Sequence, residues 1–182
     1  MLVVLGGLPG SGKTTVGRPV AELLTAAYVR VDALEAAMWR AGIAREQPTG
    51  LAAYMVAEAV AEGCLRAGAS VVVDAVNAVE VARQVWRDLA VRTHKPLRFI
   101  EVVCSDQAEH RRRVEARSAD LEGHYVPTWD EVVQREYEPW RDQRLVVDTH
   151  QPLANSRLQI EEYLAESPRV ASVECAQFGN DP

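Results

Sequence analysis

Residues 7–14 read Gly-Leu-Pro-Gly-Ser-Gly-Lys-Thr, and Gly7, Gly12, Lys13 and Thr14 occupy the fixed positions of the pattern G-x-x-x-x-G-K-[ST]. Residues 1–5, Met-Leu-Val-Val-Leu, are apolar and partly β-branched and read as a buried strand. Residues 15–24 read as a helix, so the motif sits at a strand-to-helix turn. Glycine at 7, 10 and 12 lets the backbone turn tightly and present its N–H groups. At a helix N-terminus those groups form a nest for a phosphate. Lys13 has the reach for β- and γ-phosphates, and the Thr14 hydroxyl suits Mg²⁺. Gly7, Pro9, Gly10, Ser11, Gly12, Lys13, Thr14 and Thr15 are therefore the candidate contacts to ATP.

The chain has 182 residues, enough for one domain with a sizeable core. Its hydrophobic and charged fractions, 48% and 25%, are those of ordinary globular proteins. A net charge of −6 argues against a protein that grips long nucleic acid through its phosphates. Cys64, Cys104 and Cys175 are scattered, show no zinc-ligand spacing with the histidines, and read as reduced thiols of a cytoplasmic protein. The apolar N-terminal run is too short, and too broken by glycine, for a signal peptide or a membrane span.

Further along, strands are expected at 26–31, 70–73, 97–103 and 144–147. Helices are expected at 34–41, 51–67, 79–92, 105–117, 128–137 and 153–165. Gly68 suits a helix C-terminus, and Thr128-Trp-Asp-Glu131 is a capping box. Five strands alternating with helices imply right-handed crossovers, hence an α/β fold: a five-stranded parallel sheet covered on both faces. This predicts a P-loop NTPase fold over residues 1–165, a helical lid at about 105–127, and a loose tail at 166–182.

In such sheets ligands bind beyond the carboxyl ends of the strands. Asp32, Asp74, Cys104 and Asp148 fall there. Asp74 follows Val71-Val-Val73, as an acid beside a phosphate-bound Mg²⁺ would, and Asn77 is a candidate helper by hydrogen bonding. Asp32 is placed to orient an acceptor hydroxyl and take its proton. Both aspartates also suit helix N-caps, and position alone leaves the two readings open. Arg113 and Arg117 share a helix face and could clamp a transferring phosphoryl group, or could belong to a solvated basic face. Arg111 and Arg112 read as partners of Glu109 and Glu115. Thr149 and Gln151, after the last strand, are candidates for contact with adenine, in a stretch that also reads as a simple turn. Trp129, Tyr137 and Trp140 read as packing residues rather than a base-stacking platform.

Taken together, 7–14, Asp32, Asp74-Ala-Val-Asn77, Arg113-x-x-x-Arg117 and Asp148-Thr149 resemble the small P-loop kinases of the zeta-toxin, chloramphenicol phosphotransferase and polynucleotide-kinase group, AAA-type ATP-binding proteins. The resemblance spans roughly 1–165. It implies that Lys13 and Thr14 bind phosphate and Mg²⁺, that Asp32 activates the acceptor hydroxyl, that Asp74 serves acceptor and metal, and that Arg113 and Arg117 are lid arginines. Residues 31–38 look particularly like the corresponding stretch of chloramphenicol phosphotransferases. Polynucleotide kinases commonly carry an arginine shortly after the catalytic aspartate, whereas Ala33, Leu34 and Glu35 stand here.

The sequence thus points to an ATP- and Mg²⁺-dependent phosphotransferase whose acceptor is a hydroxyl on a small metabolite, nucleoside-like compound or antibiotic. A 5′-OH polynucleotide kinase and a nucleotide-binding switch without transfer are the alternatives. The oligomeric state is not legible at this stage.

Overall fold

The computed structural model describes residues 1–116 and 125–166. Five strands run through its centre: β1 Leu2–Gly6, β2 Ala27–Arg30, β3 Val71–Asp74, β4 Leu97–Val103 and β5 Arg144–Asp148. Their order is β2-β3-β1-β4-β5, and every neighbouring pair is parallel. The helices are α1 Lys13–Leu24, α2 Val31–Arg40, α3 Thr49–Arg66, α4 Glu80–Thr93, α5 Gln107–Glu115, α6 Trp129–Gln134 and α7 Leu153–Ala165. This is the expected covered parallel sheet.

The central strands explain why the sheet is covered twice. Every residue of β1 and β3 is buried. In β1, Leu2 and Val4 pack with Ala53, Ala57, Ala61 and Leu65 of α3 and with Trp86 and Leu89 of α4. Val3 and Leu5 point the other way, to Val16 and Val20 of α1 and Ile160 and Leu164 of α7. The period-two alternation of a strand therefore feeds two cores, one on each face.

Among the boundaries that differ from the sequence reading, three change what a residue does. Strand β2 stops at Arg30, and α2 begins at Val31, so Asp32 lies in the first turn of a helix rather than at a strand end. A carboxylate there is favoured by the helix dipole. Helix α3 begins at Thr49, directly after Pro48. Helix α6 has its capping box, with Thr128 accepting from the Glu131 N–H, but ends at Gln134 instead of reaching Tyr137.

The early end of α6 has a cause in Arg83. Its side chain is fully buried, and its Nε donates to the Asn77 carbonyl at 2.9 Å. The two Nη groups donate to the carbonyls of Ala78, Glu138 and Pro139 at 3.0, 2.6 and 3.0 Å. The guanidinium also lies 4.0 Å from the ring centre of Trp140. These acceptors require the chain after residue 134 to be extended, with its carbonyls turned inward. Tyr137 and Trp140 accordingly pack into the core.

Replacing Arg83 with Met removes four hydrogen bonds, one of them to the buried Asn77 carbonyl. Thermal and urea unfolding of Arg83→Met are expected to show a loss of about 3 kcal/mol. An unchanged unfolding midpoint would contradict the role given to this side chain.

Candidate functional site

Residues 7–12 form the loop between β1 and α1, and its glycines lie where other segments close on it. Gly10 and Gly12 have φ of 80° and 95°, a region that disfavours side chains. A Cβ on Gly10 would lie 2.6 Å from Val114 Cγ2, and one on Gly12 would lie 3.0 Å from Thr149 Cγ2. Helix α5 and the β5–α7 loop are thus pressed directly against the turn. His110 of α5 adds a hydrogen bond between its Nε2 and the Pro9 carbonyl at 2.8 Å. Its ring meets Trp129 edge-on at 5.3 Å.

Lys13 is buried, and its ammonium donates to the carbonyls of Gly7 and Leu8 at 2.8 and 3.1 Å. Its charge therefore lies across the loop. Thr15 is exposed on the cavity wall. The Ser11 hydroxyl is buried, without a partner among the described residues.

The register Leu5↔Asp74 places the end of β3 beside the start of the loop. The Thr14 hydroxyl donates to Asp74 Oδ2 at 2.8 Å, and the Tyr28 hydroxyl donates to the same oxygen at 2.5 Å. Burial, and then the neighbouring Asp74 carboxylate, push the Tyr28 phenol above its ordinary range. The phenol therefore stays protonated and keeps donating. Its ring fits because α1 carries Gly17, where a Cβ would lie 3.0 Å from Tyr28 Cε2.

A hydroxyl and a carboxylate at hydrogen-bond distance suit a hard divalent cation. The described residues contain no cluster of three or more His, Cys, Asp or Glu side chains. Mg²⁺ shared with phosphates keeps several waters and takes few protein ligands. Thr14 and Asp74 could hold it.

One cavity of about 340 Å³ joins these groups. Lys13, Thr14 and Asp74 line it together with Arg30, Asp32, Arg113, Thr149 and Gln151. Asp32 is partly exposed, and its Oδ2 lies 3.7 Å from Arg30 Nη2. Asn77 does not join them. It is fully buried with a left-handed φ of 49°. Its side-chain amide donates to the Leu5 carbonyl at 2.6 Å, and its side-chain oxygen accepts from Trp86 Nε1 at 2.9 Å. It props the end of β1 from beneath instead of facing the crevice.

Arg113 reaches the cavity wall in an unexpected posture. Its Nη1 and Nη2 donate to the hydroxyl and carbonyl of Thr149 at 2.8 and 2.9 Å, and its Nε donates to Glu109 at 2.8 Å. The Thr149 hydroxyl in turn lies 2.7 Å from the Ser11 carbonyl. Arg113 therefore ties α5 to the β5–α7 loop and, through it, to residues 10–12. Arg117 lies outside the described residues. Arg111 pairs with Glu115 and Arg112 with Glu109, on the surface. Asp148 does not line the cavity and shapes a turn beside it, accepting from the Ser105 and His150 N–H groups at 3.0 Å each.

Arg30 lines the cavity, and Tyr28 and His110 brace Asp74 and Pro9; the sequence reading singled out none of the three. The alternation Tyr28-Val-Arg30 in an otherwise apolar strand puts both polar side chains on one face, a signal available from the sequence.

No functionally curated protein matches the chain significantly. Among solved structures, a protein of Chloroflexus aurantiacus provisionally assigned as a kinase superposes with a TM-score of 0.74 at 22% identity, covering 89% of this chain and 97% of that one. Kti12 of Chaetomium thermophilum, in complex with ADP-AlF3, gives 0.69 at 22% identity, with 89% and 96% covered. A gluconokinase of Sinorhizobium meliloti gives 0.62 at 24%, with 90% of each chain covered. These similarities show a shared P-loop fold. No helix among the described residues is long and apolar enough to cross a membrane. The family model described as AAA domain matches residues 2–137, and the chain belongs to that family.

Proposed function

We propose that this protein transfers the γ-phosphate of ATP to a hydroxyl group of a small molecule: a metabolite, a nucleoside-like compound or an antibiotic. The observation that carries this reading is the position of Asp32. It lines the same cavity as Lys13, Thr14 and Asp74, but from a different element, with Arg30 beside it. A second carboxylate facing the same cavity as the phosphate-binding loop suits the binding and deprotonation of an acceptor hydroxyl.

In this reading the N–H groups of residues 10–15 and the Lys13 ammonium hold the β- and γ-phosphates. Thr14 and Asp74 hold Mg²⁺, which, when bound, neutralises phosphate charge and aligns the transferred group. Tyr28 fixes the Asp74 carboxylate by its hydrogen bond. Arg113 contributes a positive charge to the wall, and Thr149 and Gln151 line the side where the base of the nucleotide would lie. Arg117 is assigned to the same electrostatic role from its spacing alone. Asp32 orients the acceptor hydroxyl. As the new O–P bond forms and the bond to the leaving ADP breaks, Asp32 takes the hydroxyl proton. Net charge and the lack of an arginine just after Asp32 favour a small acceptor over a polynucleotide end.

Incubation with γ-labelled ATP and Mg²⁺ tests the reading, with hydroxylated small molecules in one arm and a 5′-OH oligonucleotide in the other. Label in the small-molecule arm is the expected result. Label on the oligonucleotide would make the polynucleotide-kinase reading correct. Label in neither, with ATP bound, would favour a switch.

Two variants refine it. Asp32→Asn is expected to lower transfer at least about a hundredfold while ATP affinity is unchanged. Transfer at the wild-type rate would remove Asp32 from the role of base. Tyr28→Phe is expected to raise the Mg²⁺ concentration at half-maximal activity by about tenfold to a hundredfold, the effect typical of removing a partner of a metal ligand. An unchanged Mg²⁺ dependence would assign Tyr28 to packing alone.

A further inference from the structure

Residues 8–11, Leu-Pro-Gly-Ser, form a β-turn within the phosphate loop, in which the Ser11 N–H donates to the Leu8 carbonyl at 3.1 Å. Gly10, the third residue of the turn, has φ of 80°, which makes the turn type II. Type I and type II turns differ by a half-rotation of the central peptide unit, here Pro9–Gly10. Proline at the second position suits both types, and glycine at the third accepts either sign of φ. The local sequence therefore leaves this peptide unit free to turn over.

Its direction matters to a phosphate. In a trans peptide unit the C=O and the N–H point opposite ways, and the chain has no cis peptide bond. The carbonyls of Gly7 and Leu8 are taken by the Lys13 ammonium. The Pro9 carbonyl is taken instead by Nε2 of His110 on α5, at 2.8 Å. The Gly10 N–H therefore points away from His110. No backbone carbonyl among the described residues accepts from it, and Gly10 lines the cavity. Turning the unit over to type I would exchange the two groups and put the negative end of a carbonyl dipole where the N–H now stands.

His110 is built to prevent that exchange. A carbonyl only accepts, so Nε2 carries the hydrogen and donates. The imidazole is buried, and Trp129 of α6 meets it edge-on with ring centres 5.3 Å apart. It also packs on the turn itself, since a Cβ on Gly10 would stand 3.3 Å from His110 Cδ2.

We propose that His110 is a positioning residue for nucleotide binding. By donating to the Pro9 carbonyl it locks the Pro9–Gly10 unit in the type II orientation, which presents the Gly10 N–H to a phosphate, and Trp129 keeps the imidazole in place. His110 does not line the cavity, so it acts through the peptide unit. The inference rests on the nucleotide-binding part of the proposed function and on none of its acceptor chemistry. Losing one such hydrogen bond shifts an equilibrium between two backbone states by up to about tenfold. Apparent affinity falls with the fraction of loop that is competent to bind.

Isothermal titration calorimetry of the full chain with MgADP tests this without an acceptor. His110→Leu is expected to weaken binding by about fivefold to tenfold. His110→Gln is expected to stay within about twofold of the wild type, because the glutamine amide nitrogen reaches the place of Nε2 and donates. Trp129→Leu, a test that does not require the His110→Leu chain to fold, is expected to weaken binding by about threefold. Thermal midpoints without nucleotide are measured alongside, since a packing role would make affinity follow the midpoint with no rescue in His110→Gln. Wild-type affinity in His110→Leu or in Trp129→Leu overturns the proposal. So does a His110→Gln affinity as low as that of His110→Leu. A wild type that binds no MgADP removes the nucleotide site, and the proposal with it. Failure of phosphoryl transfer alongside the expected affinities would remove the acceptor chemistry and leave this inference standing.

Discussion

The Thr14 hydroxyl meets the Asp74 carboxylate only because β1 and β3 are parallel neighbours in register. Sixty residues of chain separate the two groups, and closing that separation costs conformational entropy. The two cores of the sheet offset the cost. Val71 and Val73 bury themselves on one face and Val72 on the other, which brings Asp74 to the strand end beside the loop. The arrangement of helices follows from that requirement, since a parallel sheet buried on both faces needs α3 and α4 on one side and α1 and α7 on the other.

The loop does not hold its shape alone. Its turn is closed by the end of β4 next to Gly7, by Val114 and His110 over Gly10, and by Thr149 against Gly12. Arg113 then joins two of these braces through Thr149. Beneath the loop, Asn77 props Leu5, and Arg83 holds the Asn77 carbonyl. A phosphate cradle of N–H groups works best when it need not reorganise as charge arrives, and these braces are what keep it still. Over its described residues, helix α5 forms one wall of the site through Arg113.

The glycine-lysine stretch was legible in the sequence because its chemistry is local, and the strands were legible because they are short, apolar and bounded by turns. Asp74 stands at the strand end where the sequence reading put it, whereas Asp32 lines the same cavity from the first turn of α2 rather than from the strand end that was expected. Asn77 was misplaced because its left-handed backbone and its burial come from Trp86 and Leu5, which are distant contacts that no local pattern reports. The posture of Arg113 depends on Thr149, 36 residues away. Tyr28 was missed because a tyrosine in a strand reads as packing, and only the pairing of β2 with β3 brings its hydroxyl to Asp74.

Product analysis tests the central claim most directly. Phosphorus-31 NMR of the protein with MgATP and a mixture of hydroxylated small molecules distinguishes a phosphomonoester from inorganic phosphate. The account predicts a phosphomonoester signal that grows in step with ADP. Inorganic phosphate as the sole product, at a rate indifferent to the added hydroxyl compounds, would contradict it.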